Sequence, residues 1–134
     1  MSPELLDPER FGRLQSEDGR PTKQSDYYAL GMVIYEVCVC VNEFIVASGE
    51  PAILQVLCGY HPYVEIQSDL LVVNAIMEGV RPEEPEEMAN LGFSNELWEI
   101  VKRCWLEDHS ARPGVQDILS CLNDAAALWY TRLF

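Results

Sequence analysis

The side chains in this chain with intrinsic reactivity are five cysteines, two histidines, two lysines and a run of glutamates. Cys38-x-Cys40 with Cys58 has the thiolates that a zinc ion takes, but the spacing fits no standard zinc pattern. These thiols read as core or incidental. His61 and His109 each stand alone in turn-like sequence, as surface histidines do, without a partner to orient a base or a ligand. The eight glycines form no GxGxxG that could cradle a phosphate. Glu83–Glu87 (EEPEE) has the charge to recruit a basic partner and reads more simply as a solvated loop. From types and spacing alone, no catalytic, cofactor-binding or metal-binding residue is assigned.

Composition narrows the setting in which these residues act. A chain of 134 residues supports one domain, and 49% apolar residues fill a modest core. The net charge of −13 disfavours nucleic acid and anionic membrane as partners, because phosphate is repelled. The acidic start MSPELLDPER, with Pro3 and Pro8, is unlike a signal peptide. The longest near-apolar run, Ala29–Val41, is too short to span a bilayer and contains Glu36. An odd cysteine count without an export signal points to reduced thiols in an intracellular, cytoplasmic compartment.

The elements that must position any site read as helices. Residues 1–24 are rich in turn formers, with a short helical turn at PELL capped by Ser2. Ser25 is expected to cap a helix to about Val37 that is apolar on every face, which predicts a buried central helix. Ser68 caps a second helix with Leu70, Val73, Ile76 and Met77 on one face and Gly79 as its stop. Ser94 begins a third, where Leu97, Ile100, Val101, Cys104 and Trp105 keep amphipathic spacing. A fourth starts at Pro113 with Val115, Ile118, Leu119 and Leu122 on its face. That stripe can continue through Ala126, Trp129, Tyr130 and Leu133. The fold class is all-α.

Several segments in this order resemble the C-terminal lobe of protein kinases, closest to the tyrosine kinase-like and receptor-type branch. SPE at Ser2–Glu4 resembles the APE motif that closes the activation segment, and SDYYALGMVIYE at Ser25–Glu36 resembles the F helix. GYHPY followed by a helix and EGVRPEEP resembles the G helix, and LWEIVKRCWLEDHSARP with the helix after it resembles the H and I helices. The resemblance covers residues 1–36 and 56–122. It implies a buried ion pair between Glu4 and Arg112, and structural roles for Gly31 and Trp105. It matches Asp26 to the residue that anchors the catalytic loop, here expected to be solvated or to act as a helix-start charge.

The resemblance also implies what this stretch of sequence lacks. Phosphoryl transfer needs a phosphate cradle, a lysine on the phosphates, metal-binding Asp and Asn, and a positioned base. Neither Lys23 nor Lys102 lies in a VAIK-like strand, and no HRD or DFG occurs. The expectation is a truncated kinase-like C-lobe over residues 1–124 with a helical tail at 125–134, inactive alone. It would need no cofactor itself, whereas the intact family uses ATP and magnesium. The competing expectations are a non-catalytic helical module that binds a protein partner or self-associates through exposed lobe surface, and a poorly packed gene-model product with no function. Residues 37–55 depart from the family pattern. Deleting them gives the continuous IYEVLCGYHPY, and Val-Cys at the start and Gln at the end are what an intron's borders can encode. They read as a translated intron, with a lineage insertion as the alternative.

Overall fold

The computed structural model describes residues 1–12, 19–48, 62–63, 65–84 and 94–133, with side chains for all of these except 39–48, 129 and 132–133. Every regular element among them is helical: α1 (Pro3–Leu6), α2 (Lys23–Ser48), α3 (Asp69–Met77), α4 (Asn95–Cys104), a 3₁₀ turn at His109–Ala111, and α5 (Val115–Leu133). None of these helices is long and apolar enough to cross a membrane.

The start of α2 differs from the expectation. Thr22 is the capping residue and Ser25 lies one turn inside. The Ser25 N–H donates to Thr22 Oγ1 at 3.2 Å, while the Thr22 N–H donates to Ser25 Oγ at 2.8 Å. This reciprocal pair is a capping box with serine in the place usually held by Glu or Gln. The end differs too, because α2 runs through Ser48 and not to about Val37. The physical reason is an absence of breakers: no Gly or Pro occurs between Val37 and Ser48, and the first are Gly49 and Pro51.

α4 forms as its sequence predicts. Ser94 Oγ accepts from the Leu97 N–H at 3.2 Å. Leu97, Ile100, Val101 and Cys104 are buried along one face, and Trp105 follows them. This face packs against α2 on one side and α5 on the other. Tyr28 and Ile34 of α2 and Ile118 and Ala125 of α5 complete one hydrophobic cluster. Fully burying side chains of this size contributes about 1.5–3 kcal/mol each.

α2 is not wrapped on all sides. Val33 and Val37 are 53% and 43% exposed, and Asp26 and Ala29 on the same stripe are exposed as well. Apolar character all round predicts full burial only if enough elements surround the helix. Among the described residues, α4 and the 3₁₀ turn cover one side.

α3 keeps most of its expected face and departs from it at Leu70. Ala75 and Ile76 are its buried residues, Val72, Val73 and Met77 are half-buried, and Leu70 points to solvent. The helix packs on α1. Gly79 ends the helix at φ 83°, with the Val80 N–H donating to Ala75 O at 2.9 Å and the Gly79 N–H to Ile76 O at 3.1 Å, a Schellman-type stop.

α5 starts at Val115, two residues after Pro113. The Gly114 N–H donates to Asp117 Oδ2 at 3.2 Å, so the first turn is closed from inside. Ile118 and Ala125 are buried with Cys121 and Leu122 half-buried, whereas Val115 and Leu119, expected on the core face, are exposed. The helix is apolar over a face wider than α4 can cover. It continues through Leu133, so residues 125–133 are its last turns, and Tyr130 among them is exposed.

Candidate functional site

The strongest constellation of charged groups joins the start of the described chain to the turn before α5. Pro113 restricts the residue before it to extended backbone, and Arg112 adopts φ −67°, ψ 144°. Asp108 stabilises the turn that leads there: its Oδ1 accepts from the Ser110 N–H at 2.9 Å and the Ser110 hydroxyl at 2.6 Å. These bonds hold the Asp108 carboxyl below its ordinary pKa. The Arg112 side chain then points inward and donates through Nε to Leu106 O at 2.9 Å, closing the loop on itself.

The guanidinium fork meets Glu4 of α1. One terminal nitrogen donates to Glu4 Oε1 at 2.6 Å and the other to Oε2 at 2.9 Å, across 108 residues of sequence. The first nitrogen also donates to Gln24 O, in the first turn of α2, at 2.8 Å. Both side chains are essentially without solvent contact. Burial alone would raise the Glu4 pKa. The hydrogen bonds and charge of Arg112 outweigh it, with help from its own backbone and Ser2, so the carboxyl is held below its ordinary value. A paired, bidentate geometry is the arrangement in which a buried charge is tolerated.

A second guanidinium lies on the same aromatic ring. Arg112 is 5.1 Å and Arg81 5.4 Å from the centroid of the fully buried Tyr28. Among the described residues, no carboxylate pairs with Arg81. It donates to Trp105 O at 3.1 Å, Ile76 O at 3.1 Å and Val80 O at 2.9 Å, tying the end of α3 to the end of α4. The Tyr63 hydroxyl also donates to Val80 O at 2.9 Å, and Tyr63 holds a left-handed φ of 67°. Burial raises the pKa of both Tyr28 and Tyr63, so the site offers neutral phenols at physiological pH.

Gly31 is the contact point of α2 and α4. A Cβ built there would fall 2.7 Å from Cys104 Cβ and 2.9 Å from Trp105 Nε1. The helices approach this closely only over a glycine. Trp105 itself stacks edge-on with Trp98 at 5.7 Å and with Tyr35 at 5.6 Å. Burial pushes the Cys104 thiol up to about 11 and Cys38 up to about 12, so neither is an activated nucleophile.

The structure thus brings Glu4 and Arg112 together and places Gly31 against Trp105. Asp26 is apart from both, exposed in the first turn of α2. His109 lies in the 3₁₀ turn, Glu83 and Glu84 are exposed, and Cys58, His61 and residues 85–87 fall outside the described residues. No group of His, Cys, Asp or Glu among the described residues is arranged to hold a metal ion. Sequence reasoning missed Arg81, Tyr28 and Tyr63 as members of the site. The available signal was the Arg81-Pro82 pair directly after the Gly79 stop.

Three comparisons with known proteins bear on this arrangement. The profile of the family described as protein tyrosine and serine/threonine kinase matches residues 8–122. The proto-oncogene tyrosine-protein kinase ROS of Rattus norvegicus is 26% identical over 112 residues, 81% of this chain. The chain spans about 4% of the length of that curated relative. No solved structure matches.

Proposed function

The chain belongs to the protein tyrosine and serine/threonine kinase family, and from that premise we propose that residues 1–134 form the scaffold side of a kinase domain. The domain's reaction moves the γ-phosphoryl of ATP to a protein Ser/Thr or Tyr hydroxyl. The buried Glu4–Arg112 pair carries this reading, because it locks the segment resembling the end of an activation segment onto the helices behind it. Gly31, Trp105 and the capped start of α2 hold the platform rigid, and Asp26 stays exposed at its edge.

Residues 1–134 contain no GxGxxG, HRD or DFG. On this reading they hold neither ATP nor magnesium by themselves and transfer no phosphate. The test incubates purified chain with labelled ATP, magnesium and a generic protein substrate, and follows thermal unfolding with and without nucleotide. The expected result is no transfer above buffer and no shift. Transfer that copurifies with the chain overturns the reading. We place the protein inside the cell, where thiols such as Cys38 and Cys104 stay reduced. We also read residues 37–55 as foreign to the family pattern. The continuous IYEVLCGYHPY left by their removal supports this, and transcript sequencing across those codons tests it. A second reading, a non-catalytic module that binds a protein, is favoured by the solvent face of α3.

A further inference from the structure

The outward side of α3 combines two properties that rarely coincide on a surface held for solubility alone. Leu70 and Leu71 are 69% and 56% exposed, and Val80 just past the helix is 47% exposed. With 100° per residue, Leu70, Leu71, Asn74 and Glu78 form one solvent-facing stripe, opposite the buried Ala75 and Ile76. All four residues of this stripe are exposed, and α3 packs on α1. Two adjacent exposed leucines are the residues expected of an interaction surface.

The charge around the stripe has one sign. Glu65, Asp69, Glu78, Glu83 and Glu84 are all exposed. The only Lys or Arg in residues 65–84 is Arg81, and its guanidinium turns inward to the carbonyls of Ile76, Val80 and Trp105 and the ring of Tyr28. At the C-terminal end of the helix, Arg10 donates to Met77 O at 2.9 Å and pairs with Glu107 at the surface. Arg81 is thus directed into the fold, and Arg10, half exposed, already pairs with Glu107. An apolar pair remains, surrounded by five carboxylates.

We propose that the Leu70–Leu71–Asn74–Glu78 face of α3 is a docking site for a basic amphipathic helix of a partner protein. Leu70 and Asn74 form an i, i+4 ridge that fits the groove of such a helix. The apolar face of the partner covers Leu70, Leu71 and Val80, and its Lys and Arg residues meet the acidic rim. A second copy of this chain is disfavoured as occupant, because it would bring the same carboxylates and a further −13 of charge. The proposal goes beyond the kinase scaffold reading and does not depend on it.

The test titrates isotope-labelled full chain with a synthetic helical peptide carrying Leu at i, i+3, i+4, i+7 and Lys elsewhere. A scrambled peptide of the same composition and a Glu-for-Lys version serve as comparisons. The expected result is amide shifts concentrated in residues 65–84, binding that weakens with salt, and no binding of the Glu version. Leu70→Ser with Leu71→Ser weakens binding about tenfold, and Asp69→Asn with Glu78→Gln weakens it severalfold and flattens the salt dependence. Leu128→Ser, an exposed leucine on α5, changes nothing. Each variant is checked for the wild-type thermal transition. If the double serine variant loses it, the charge pair decides the test. Equal binding of the scrambled peptide overturns the proposal in favour of general attraction to an acidic surface. Shifts mapping to Val33 and Val37, or to Val115 and Leu119, overturn it as well. So does a concentration-dependent dimer abolished by Leu70→Ser, which assigns the face to self-association.

Discussion

Two arginines lie on the ring of Tyr28 and do opposite things with their charge. Arg112 is dry, bidentate to Glu4, and bonded to two backbone carbonyls. Arg81 is half-buried and donates to three carbonyls, whose dipoles balance its charge among the described residues. The first joins segments 108 residues apart. The second joins the ends of α3 and α4. The contrast teaches that a guanidinium in this protein is a connector in both settings, and that its energetic weight depends on what its removal strands. Losing Arg112 strands a buried carboxylate. Losing Arg81 strands carbonyls that retain some access to water.

That difference orders the expected effects. Arg112→Met should be the most damaging change, costing about 3–5 kcal/mol because Glu4 stays buried without a partner. For a small domain whose whole stability is about 5–15 kcal/mol, the urea transition should become shallow or vanish. Arg112→Lys should not restore it, since an ammonium cannot bridge both carboxylate oxygens. Gly31→Ala comes next. Its new methyl meets Cys104 Cβ at 2.7 Å, an overpacking cost of about 1–3 kcal/mol only partly offset by about 0.5–1 kcal/mol of helix propensity. Near-UV circular dichroism of Trp105 should change with it. Arg81→Ala should cost about 1–3 kcal/mol, as expected for unsatisfied carbonyls. If Arg81→Ala proves as damaging as Arg112→Met, the distinction between the two connectors fails.

The smallest effect is one of pH. The Glu4 carboxyl is held below its ordinary value of 4.5 in the folded chain, so around that pH the unfolded chain binds more protons and stability rises with pH. The contribution of the pair is fully present above about 4.5 and is lost as pH falls through the lower folded pKa. In Arg112→Met this acid limb should flatten or reverse, because burial then raises the Glu4 pKa. Urea unfolding at a series of pH values for both proteins measures it.

Parts of this arrangement were legible in the sequence and others were not, for physical reasons. The α4 face was legible because polar residues separate Leu97, Ile100, Val101 and Cys104 and give the pattern contrast. The exposure of Leu70 on α3 was not, because DLLVVNAIM is apolar at nearly every position and no sharp period stands out. The end of α2 was misplaced because Val37–Ser48 lacks a breaker, and its cap because Thr22 and Ser25 can each serve the other. The Glu4–Arg112 partnership was reachable only through motif resemblance, since no local pattern links residues so distant. Arg81 was missed because an isolated arginine after a glycine stop looks like a surface charge, and only the fold shows the carbonyls it meets.

The central claim is that Glu4 and Arg112 act as one unit that fixes α1 to the helices behind it. A double-mutant cycle tests it most directly: urea unfolding of wild type, Glu4→Ala, Arg112→Ala and the double variant at neutral pH. The account predicts that each single change is as damaging as the pair together, so that the coupling is as large as a single effect, about 3–5 kcal/mol. Single effects that add to within about 0.5 kcal/mol would contradict it.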